Sequence, residues 1–285
     1  MAYAKISGFS DEIAPEIITQ FEVLSKLGIK FFEPRGINGK NISTLSEDEA
    51  KELKETMDKY GITVSSIGSP IGKIKLTDDF DAHFEVFKNV VAIAKILGTK
   101  YIRMFSFYHN GGEWTDEERS DVINKLRVLI DYAKKEDVIL LHENEKDIYG
   151  DTKERCLDLM KELYCDNFKA VFDPANFVQS DQDTKLAYEM LKDYIEYMHI
   201  KDARFSDYNV VPAGMGDGNV EFVLDNLFKN GYNGFLSLEP HLGSFEGLSD
   251  LETGEIMKDL PKGGEGTFTL AYNSLCDILN KINVR

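Results

Sequence analysis

Eight short apolar runs alternate with amphipathic segments along the whole chain, and that alternation limits the fold more than any other feature. The runs are AKISGF (4–9), IKFFEPR (29–35), ITVSSIGS (62–69), KYIRMFSF (100–107), VILLHENE (138–145), KAVFDPAN (169–176), IEYMHIKDA (195–203) and GFLSLEPH (234–241). Each has the length and the β-branched or aromatic content of a buried strand. The intervening segments carry helical periodicity. In 15–28 it places Ile18, Phe21, Leu24 and Leu27 on one face, with Gly28 as the stop. Segment 47–61 has Ser46 as a cap ahead of it and Gly61 behind it. Residues 78–98, 115–136, 152–164, 184–192, 220–230 and 267–282 supply the remaining helices.

Parallel neighbouring strands need crossover helices, and eight βα units can close on themselves. The expected fold is a single-domain (β/α)8 TIM barrel over residues 1–285, a length that suits one such barrel. An open doubly wound sheet is the alternative, but the first strand runs into GFSDEIAP, which lacks the glycine-rich nucleotide turn. One connection is unusually long. Residues 241–266 follow the last strand, carry six glycines, and read as a lid or an interface segment of a homo-oligomer.

Composition narrows the partners. A net charge of −17 repels duplex nucleic acid, and no basic run offsets it, so a small-molecule substrate is expected. No apolar run approaches the roughly 20 residues of a membrane helix. The amino-terminal stretch has no long apolar region of a secretory signal, which points to the cytoplasm. Cys156, Cys165 and Cys276 form no CxxC pair and read as free structural thiols.

The ionisable residues are informative through their positions. Strand five ends at Glu143, strand six at Asp173, strand seven carries His199, and strand eight carries Glu239. Each alone has an ordinary reading: a solvated glutamate, a turn aspartate before Pro174, a hydrogen-bonded core histidine. Together they recur at the carboxyl end of successive strands, the face where barrels assemble active sites. Three carboxylates and one imidazole make an oxygen-rich donor set. It suits Mn²⁺ first, with Mg²⁺ or Co²⁺ close behind, better than a structural zinc would.

These motifs resemble the xylose isomerase-like TIM barrel superfamily, the sugar phosphate isomerase/epimerase family. HENEK, FDPAN, HIKDA and LEPH stand where that family has its strand-five Glu, strand-six Asp, strand-seven HxKD and strand-eight Glu. PAGMGDGNVEF (212–222) resembles its GxGxxxF turn. Two positions depart from members that epimerise free ketoses: Asn176 stands where a histidine follows the strand-six Asp, and Glu145 replaces the histidine of the ENH-like motif. Both changes remove an imidazole that would hold a sugar hydroxyl.

The resemblance implies one divalent ion (Mn²⁺ first, with Mg²⁺, Co²⁺ or Zn²⁺ as alternatives) held by Glu143, Asp173, His199 and Glu239. It also implies proton transfer beside a carbonyl through an enediolate, with Glu143 and Glu239 as the acid/base pair of a sugar isomerase or epimerase. Glu33, Arg103, Glu145, Asn176, Lys201, Arg204 and His241 are the expected substrate contacts, with Arg35 a further cation near the same face. Lys201 shares the strand parity of His199, and His241 that of Glu239. His142 has the opposite parity to Glu143 and is expected to face the helices. The alternatives are a dehydratase acting on a keto-cyclitol, an abasic-site endonuclease and a non-catalytic ligand-binding barrel. Five histidines in all and the acidic charge weigh against the endonuclease.

Overall fold

A computed structural model describes residues 3–243, 260–261 and 263–285 of the chain. The barrel strands are β1 (Lys5–Gly8), β2 (Phe31–Phe32), β3 (Thr63–Val64), β4 (Tyr101–Met104), β5 (Ile139–Glu143), β6 (Phe168–Phe172), β7 (Ile195–Ile200) and β8 (Phe235–Leu238). Six form one curled parallel sheet in the order β1-β8-β7-β6-β5-β4. β2 and β3 pair with each other in parallel. They close the circle through the bond from Glu33 N–H to the Gly8 carbonyl (2.9 Å) and the parallel bridge between Ile67 and Ile102. The result is the expected TIM barrel.

The helices are α1 (Ile17–Lys26), α2 (Glu47–Tyr60), α3 (Phe80–Leu97), α4 (Asp116–Glu136), α5 (Lys153–Leu163), α6 (Thr184–Leu191), α7 (Val220–Lys229) and α8 (Gly264–Lys281), with a short extra helix at Pro174–Gln179. Their ends follow local chemistry. Ser46 and Glu49 form a reciprocal capping box on α2, and Gly61 ends that helix in the left-handed conformation. In α1 the inward stripe runs through Ile17, Phe21 and Leu24, whereas Ile18 is 45 % exposed, so the stripe is offset by one residue from the expected face. β2 and β3 are shorter than the expected runs 29–35 and 62–69. Pro34 has no N–H to offer a ladder, and Ser69 N–H turns back onto the Ile67 carbonyl. The expected lid at 241–266 lies largely outside the described residues. No described helix is long and apolar enough to cross a membrane.

Alternation along the strands separates two layers. Outward residues join a continuous core beneath the helices. Inward residues at the amino-terminal end of the barrel form a small plug of Leu141, Val171 and Tyr197, flanked by Tyr101, Ile139 and Phe235. Above it Tyr197 donates its hydroxyl hydrogen to Glu33 (2.8 Å) and lies 2.8 Å from Ser65 Oγ. The barrel therefore grows more polar toward its carboxyl end.

The glycine-rich turn after β7 has a structural role. Asp202 is buried and its carboxylate accepts backbone N–H bonds from Gly214, Gly216, Gly218 and Ala203 at 2.8–3.0 Å. A Cβ on Gly216 or Gly218 would come within 2.4 Å and 2.6 Å of that carboxylate. The turn is thus wound around a single side chain that anchors the end of β7. Asp202→Ala strands the buried N–H groups of Ala203 and Gly218, each costing about 1–3 kcal/mol, and frees the part-buried ones of Gly214 and Gly216. Urea unfolding of that variant is expected to show a loss of about 3 kcal/mol or more.

A candidate metal centre at the barrel mouth

β5, β6, β7 and β8 are consecutive neighbours, so their carboxyl ends bring Glu143, Asp173, His199 and Glu239 to one place. Each offers a ligand atom, and the four atoms lie within 4.8 Å of one another. All four side chains are buried. His199 Nδ1 is the shared centre: it lies 2.8 Å from Glu143 Oε1, 3.6 Å from Glu239 Oε2 and 4.0 Å from Asp173 Oδ2. On the other edge of the ring, Nε2 is 3.4 Å from Glu33 Oε2. Nδ1 therefore faces the cluster, and Nε2 faces the Glu33 carboxylate behind it without a hydrogen bond.

Asp173 combines two tasks. Its Oδ1 accepts the Asn176 N–H (2.9 Å) and caps the short helix that Pro174 begins, while Oδ2 turns to the cluster and has no hydrogen-bond partner. Glu239 Oε2 is likewise buried without one. Asn144 locks the ends of β5 and β6 together, donating to the Asp173 carbonyl and accepting from its N–H, both at 2.9 Å. Asn176 Nδ2 donates to Glu143 Oε1 (3.2 Å) and to the Asn144 carbonyl (2.9 Å).

Cations surround the acids. Arg103 Nη1 reaches Glu143 Oε2 (3.2 Å) and Glu239 Oε1 (3.6 Å). Arg35 Nη1 lies 3.3 Å from Glu239 Oε1, and its other nitrogens bind Asp11 and Glu12. Both guanidiniums sit over the ring of Phe9, at 4.7 Å and 4.8 Å, and the same ring meets His199 edge-on at 5.2 Å. Lys201 Nζ stands 3.4 Å from Asp173 Oδ2 and 3.4 Å from Glu239 Oε2. His241 Nε2 is 3.4 Å from Glu239 Oε1.

The electrostatics follow from this crowding. Burial pushes Asp173 up to about 7, with Lys201 opposing and Glu143 and Glu239 reinforcing the rise. Burial would also raise Glu239, but Lys201 and His241 outweigh it and hold that carboxyl well below the usual range. Burial lowers the His199 pKa, yet Glu143 and Glu33 reverse this and leave it well above normal. Without a cation the carboxylates favour the charged imidazole. A divalent ion would supply that charge itself and take the neutral ring. Two buried carboxylate oxygens without a hydrogen bond, a converging nitrogen and an oxygen-rich donor set fit such an ion.

Several expected contacts lie elsewhere. Glu33, expected at the substrate, is fully buried between His199 and Tyr197, because inward parity at β2 puts it below the mouth. Asn176 holds Glu143 and does not open onto the mouth. Arg204 pairs with Asp207 on the turn after β7, 36 % exposed and away from the cluster. Glu145 sits near the mouth in an ion pair with Lys73 (3.0 Å); burial raises its carboxyl, but Lys73 and Lys201 bring the balance below normal. The sequence reading passed over Glu12, Phe9 and Lys73. Glu12 follows β1 as Glu143 ends β5, so the same positional rule extended to the first strand would have found it. Burial raises its carboxyl to about 7 against His241 and Arg35. Lys73 lies on the loop after β3 and carried no such signal.

His142 points away from the cluster. Its Nε2 is hydrogen-bonded to Ser106 Oγ (3.0 Å), which also accepts the Gly150 N–H (2.8 Å). Burial lowers its pKa to about 3. The folded state thus refuses a proton that the unfolded chain accepts near 6.5. Stability from this group is complete above about 6.5 and is lost as pH falls toward 3, by about 1.4 kcal/mol per pH unit within that window. His142→Gln should lose that share of the acid dependence, measured as chemical stability at pH 7 against pH 5.

The barrel and this acidic cluster define an enzyme-type (β/α)8 fold with a metal-competent centre at the carboxyl ends of its strands. The sequence matches the xylose isomerase-like TIM barrel family over residues 21–259, and the chain belongs to that family. A curated relative, 3-dehydroshikimate dehydratase of Bacillus anthracis, is 24 % identical over 135 residues, 47 % of this chain and 48 % of that protein. The match thus spans about half the length of that relative. Among solved structures, L-ribulose 3-epimerase superposes with a TM-score of 0.76 at 19 % identity, covering 99 % of this chain and 96 % of its own. A xylose isomerase-like TIM barrel protein from Mycobacterium smegmatis, in complex with magnesium, gives 0.68 at 15 % identity over 99 % and 98 %. At these identities the two structures speak for the fold alone.

Proposed function

We propose that this protein is a divalent-metal-dependent isomerase or epimerase of a sugar or sugar derivative, using Mn²⁺ and working by proton transfer beside a carbonyl. The observation that carries the reading is the convergence of Glu143, Asp173, His199 and Glu239 at the barrel mouth. These four would hold the ion, with Mg²⁺, Co²⁺ or Zn²⁺ as alternatives. When bound, the ion supplies Lewis acidity that polarises a carbonyl and acidifies the neighbouring C–H.

The rest is the work of the chain's own residues. Glu143 and Glu239 lie on strands separated by β6 and β7, so they flank the space between them. Lys201 and His241 keep Glu239 ionised against burial, and the carboxylate takes the proton from the substrate. Glu143 stands on the opposite side and, carrying a proton of its own beforehand, delivers that proton to the other face, so that the two carboxyls exchange protonation states in one turnover. Arg103 and Lys201 face the same space and neutralise enediolate charge on the substrate as it develops. Glu33 keeps the His199 ring in register from behind.

The dehydratase relative favours a second reading. The same abstraction beside the carbonyl of a keto-cyclitol would be followed by departure of a β-hydroxyl, which leaves as water after taking a proton from the opposite glutamate in its protonated, carboxylic acid form.

Mn²⁺ at about 100 times its dissociation constant should stabilise the protein by about 2.7 kcal/mol, seen as a rise in melting temperature that Asp173→Asn abolishes. Incubation of the Mn²⁺ form in D₂O with ketoses, keto-cyclitols and sugar phosphates should put deuterium on carbon. Glu143→Gln and Glu239→Gln should slow that exchange about 10²–10⁴-fold. An alkene or deoxy-ketone product would favour the dehydratase. Absence of exchange with every substrate, together with no metal-dependent stabilisation, would overturn the enzymatic reading.

A further inference from the structure

Lys73 lies on the loop between β3 and α3, yet its ammonium reaches Glu145, two residues beyond the end of β5, at 3.0 Å. The backbone that carries it is fixed. Gly72 N–H donates to His83 Nε2 (2.8 Å), and the Ile71 and Gly72 carbonyls accept the N–H groups of Phe105 (2.7 Å) and Phe107 (3.0 Å). Gly72 has a left-handed φ of 89°, and a Cβ there would lie 2.1 Å from the Phe105 carbonyl oxygen. Only glycine lets the loop lie this close to the chain that follows β4. The ammonium stands 4.3 Å from the centre of the Phe105 ring, and the Arg103 guanidinium stands 5.0 Å from the same ring.

Glu145 is engaged at both oxygens. Oε1 accepts the Lys146 N–H (3.1 Å), and Oε2 takes the Lys73 ammonium. Burial raises this carboxyl, Lys73 lowers it most, Lys201 lowers it next, and Glu239 opposes them. The charges of Lys201 and Glu239 therefore act on Glu145, which puts the Lys73–Glu145 pair beside the metal centre. Lys201 itself is held less closely. It stands 3.4 Å from Asp173 Oδ2 and 3.4 Å from Glu239 Oε2, beyond the roughly 2.7–2.9 Å of a charge-assisted N–H···O bond. Those are the two buried carboxylate oxygens of the cluster without a hydrogen bond.

An ammonium balanced between two carboxylates at that range is drawn toward a third that has lost its own cation, because an unpaired buried charge is costly. We propose that Lys73 is a positioning residue: by neutralising Glu145 it leaves Lys201 on Asp173 and Glu239, where developing enediolate charge is met. This rests on the reading of the cluster as a metal-dependent proton-transfer site. It adds a residue whose effect passes through Glu145 and Lys201 rather than through contact with the reacting atoms.

Lys73→Met keeps the apolar stem and removes the charge. In crystals of that variant grown in EDTA, Lys201 Nζ should leave Glu239 Oε2 and come within about 4 Å of Glu145. Lys73→Arg, which keeps the charge, and the double variant Lys73→Met/Glu145→Gln, which removes the stranded carboxylate, should both return Lys201 to its place. In solution, Mn²⁺ titration followed by calorimetry gives a second readout. With Lys201 withdrawn from the two oxygens an ion would take, Lys73→Met should bind Mn²⁺ about tenfold more tightly than the unaltered protein, and the double variant should bind it equally. A merely structural role for Lys73 weakens binding in both variants. Lys201 unmoved in Lys73→Met, Lys201 displaced as far in the double variant, or Mn²⁺ affinity unchanged or lowered in Lys73→Met would each overturn the proposal. The crystal readout needs neither metal nor turnover, so it decides the positioning role even if the unaltered protein binds no Mn²⁺ and exchanges no deuterium.

Discussion

Like charges buried side by side are the constraint on which the carboxyl end of this barrel depends. Glu143, Asp173 and Glu239 surround one imidazole with almost no access to water. Such a group holds together only if opposite charge is brought equally deep. Arg35, Arg103 and Lys201 meet that need, each within 3.6 Å of at least one of the three carboxylates. Phe9 in turn carries both guanidiniums on its ring, so one aromatic side chain of the first βα turn sets the positions of two cations. Even so, Asp173 is pushed up by burial, and two carboxylate oxygens remain without hydrogen bonds. The balance is incomplete in the direction that a divalent cation would correct.

The remainder of the barrel keeps that arrangement from relaxing. Serine, tyrosine and Glu33 side chains fill the interior beneath the cluster. Asn144 ties β5 to β6, and Asp202 winds the glycine-rich turn after β7 around its own carboxylate. These contacts join strand ends to each other, which suits a site whose ligands come from four separate strands. Residues outside the cluster therefore govern where its four members stand.

Much of this was legible in the chain. The eightfold alternation specifies the βα units because strand and helix periods differ and each unit must bury one face. The four ligand positions were legible for a related reason: in a barrel, position at a strand's end determines position in space. Strand parity correctly turned His142 away from the cluster and brought Lys201 and His241 toward it. Glu33 and Asn176 were read from their motifs and not from parity. Neither residue's height in the barrel was legible, and the structure places Glu33 against His199 and Asn176 against Glu143. Arg204 illustrates a different limit, since beyond a strand's end the backbone turns and parity has no meaning.

By itself, then, the sequence determined the number and order of the βα units, the family and the identity of the four residues that converge at the barrel mouth. All of these are encoded in local periodicity and in motifs at strand ends. Tertiary structure alone decided which oxygen of Asp173 caps a helix and which faces the cluster, and that Arg35 and Arg103 share the ring of Phe9. It also decided that Lys73 meets Glu145. Those are contacts between residues far apart in the chain, and their geometry exists only once the barrel closes.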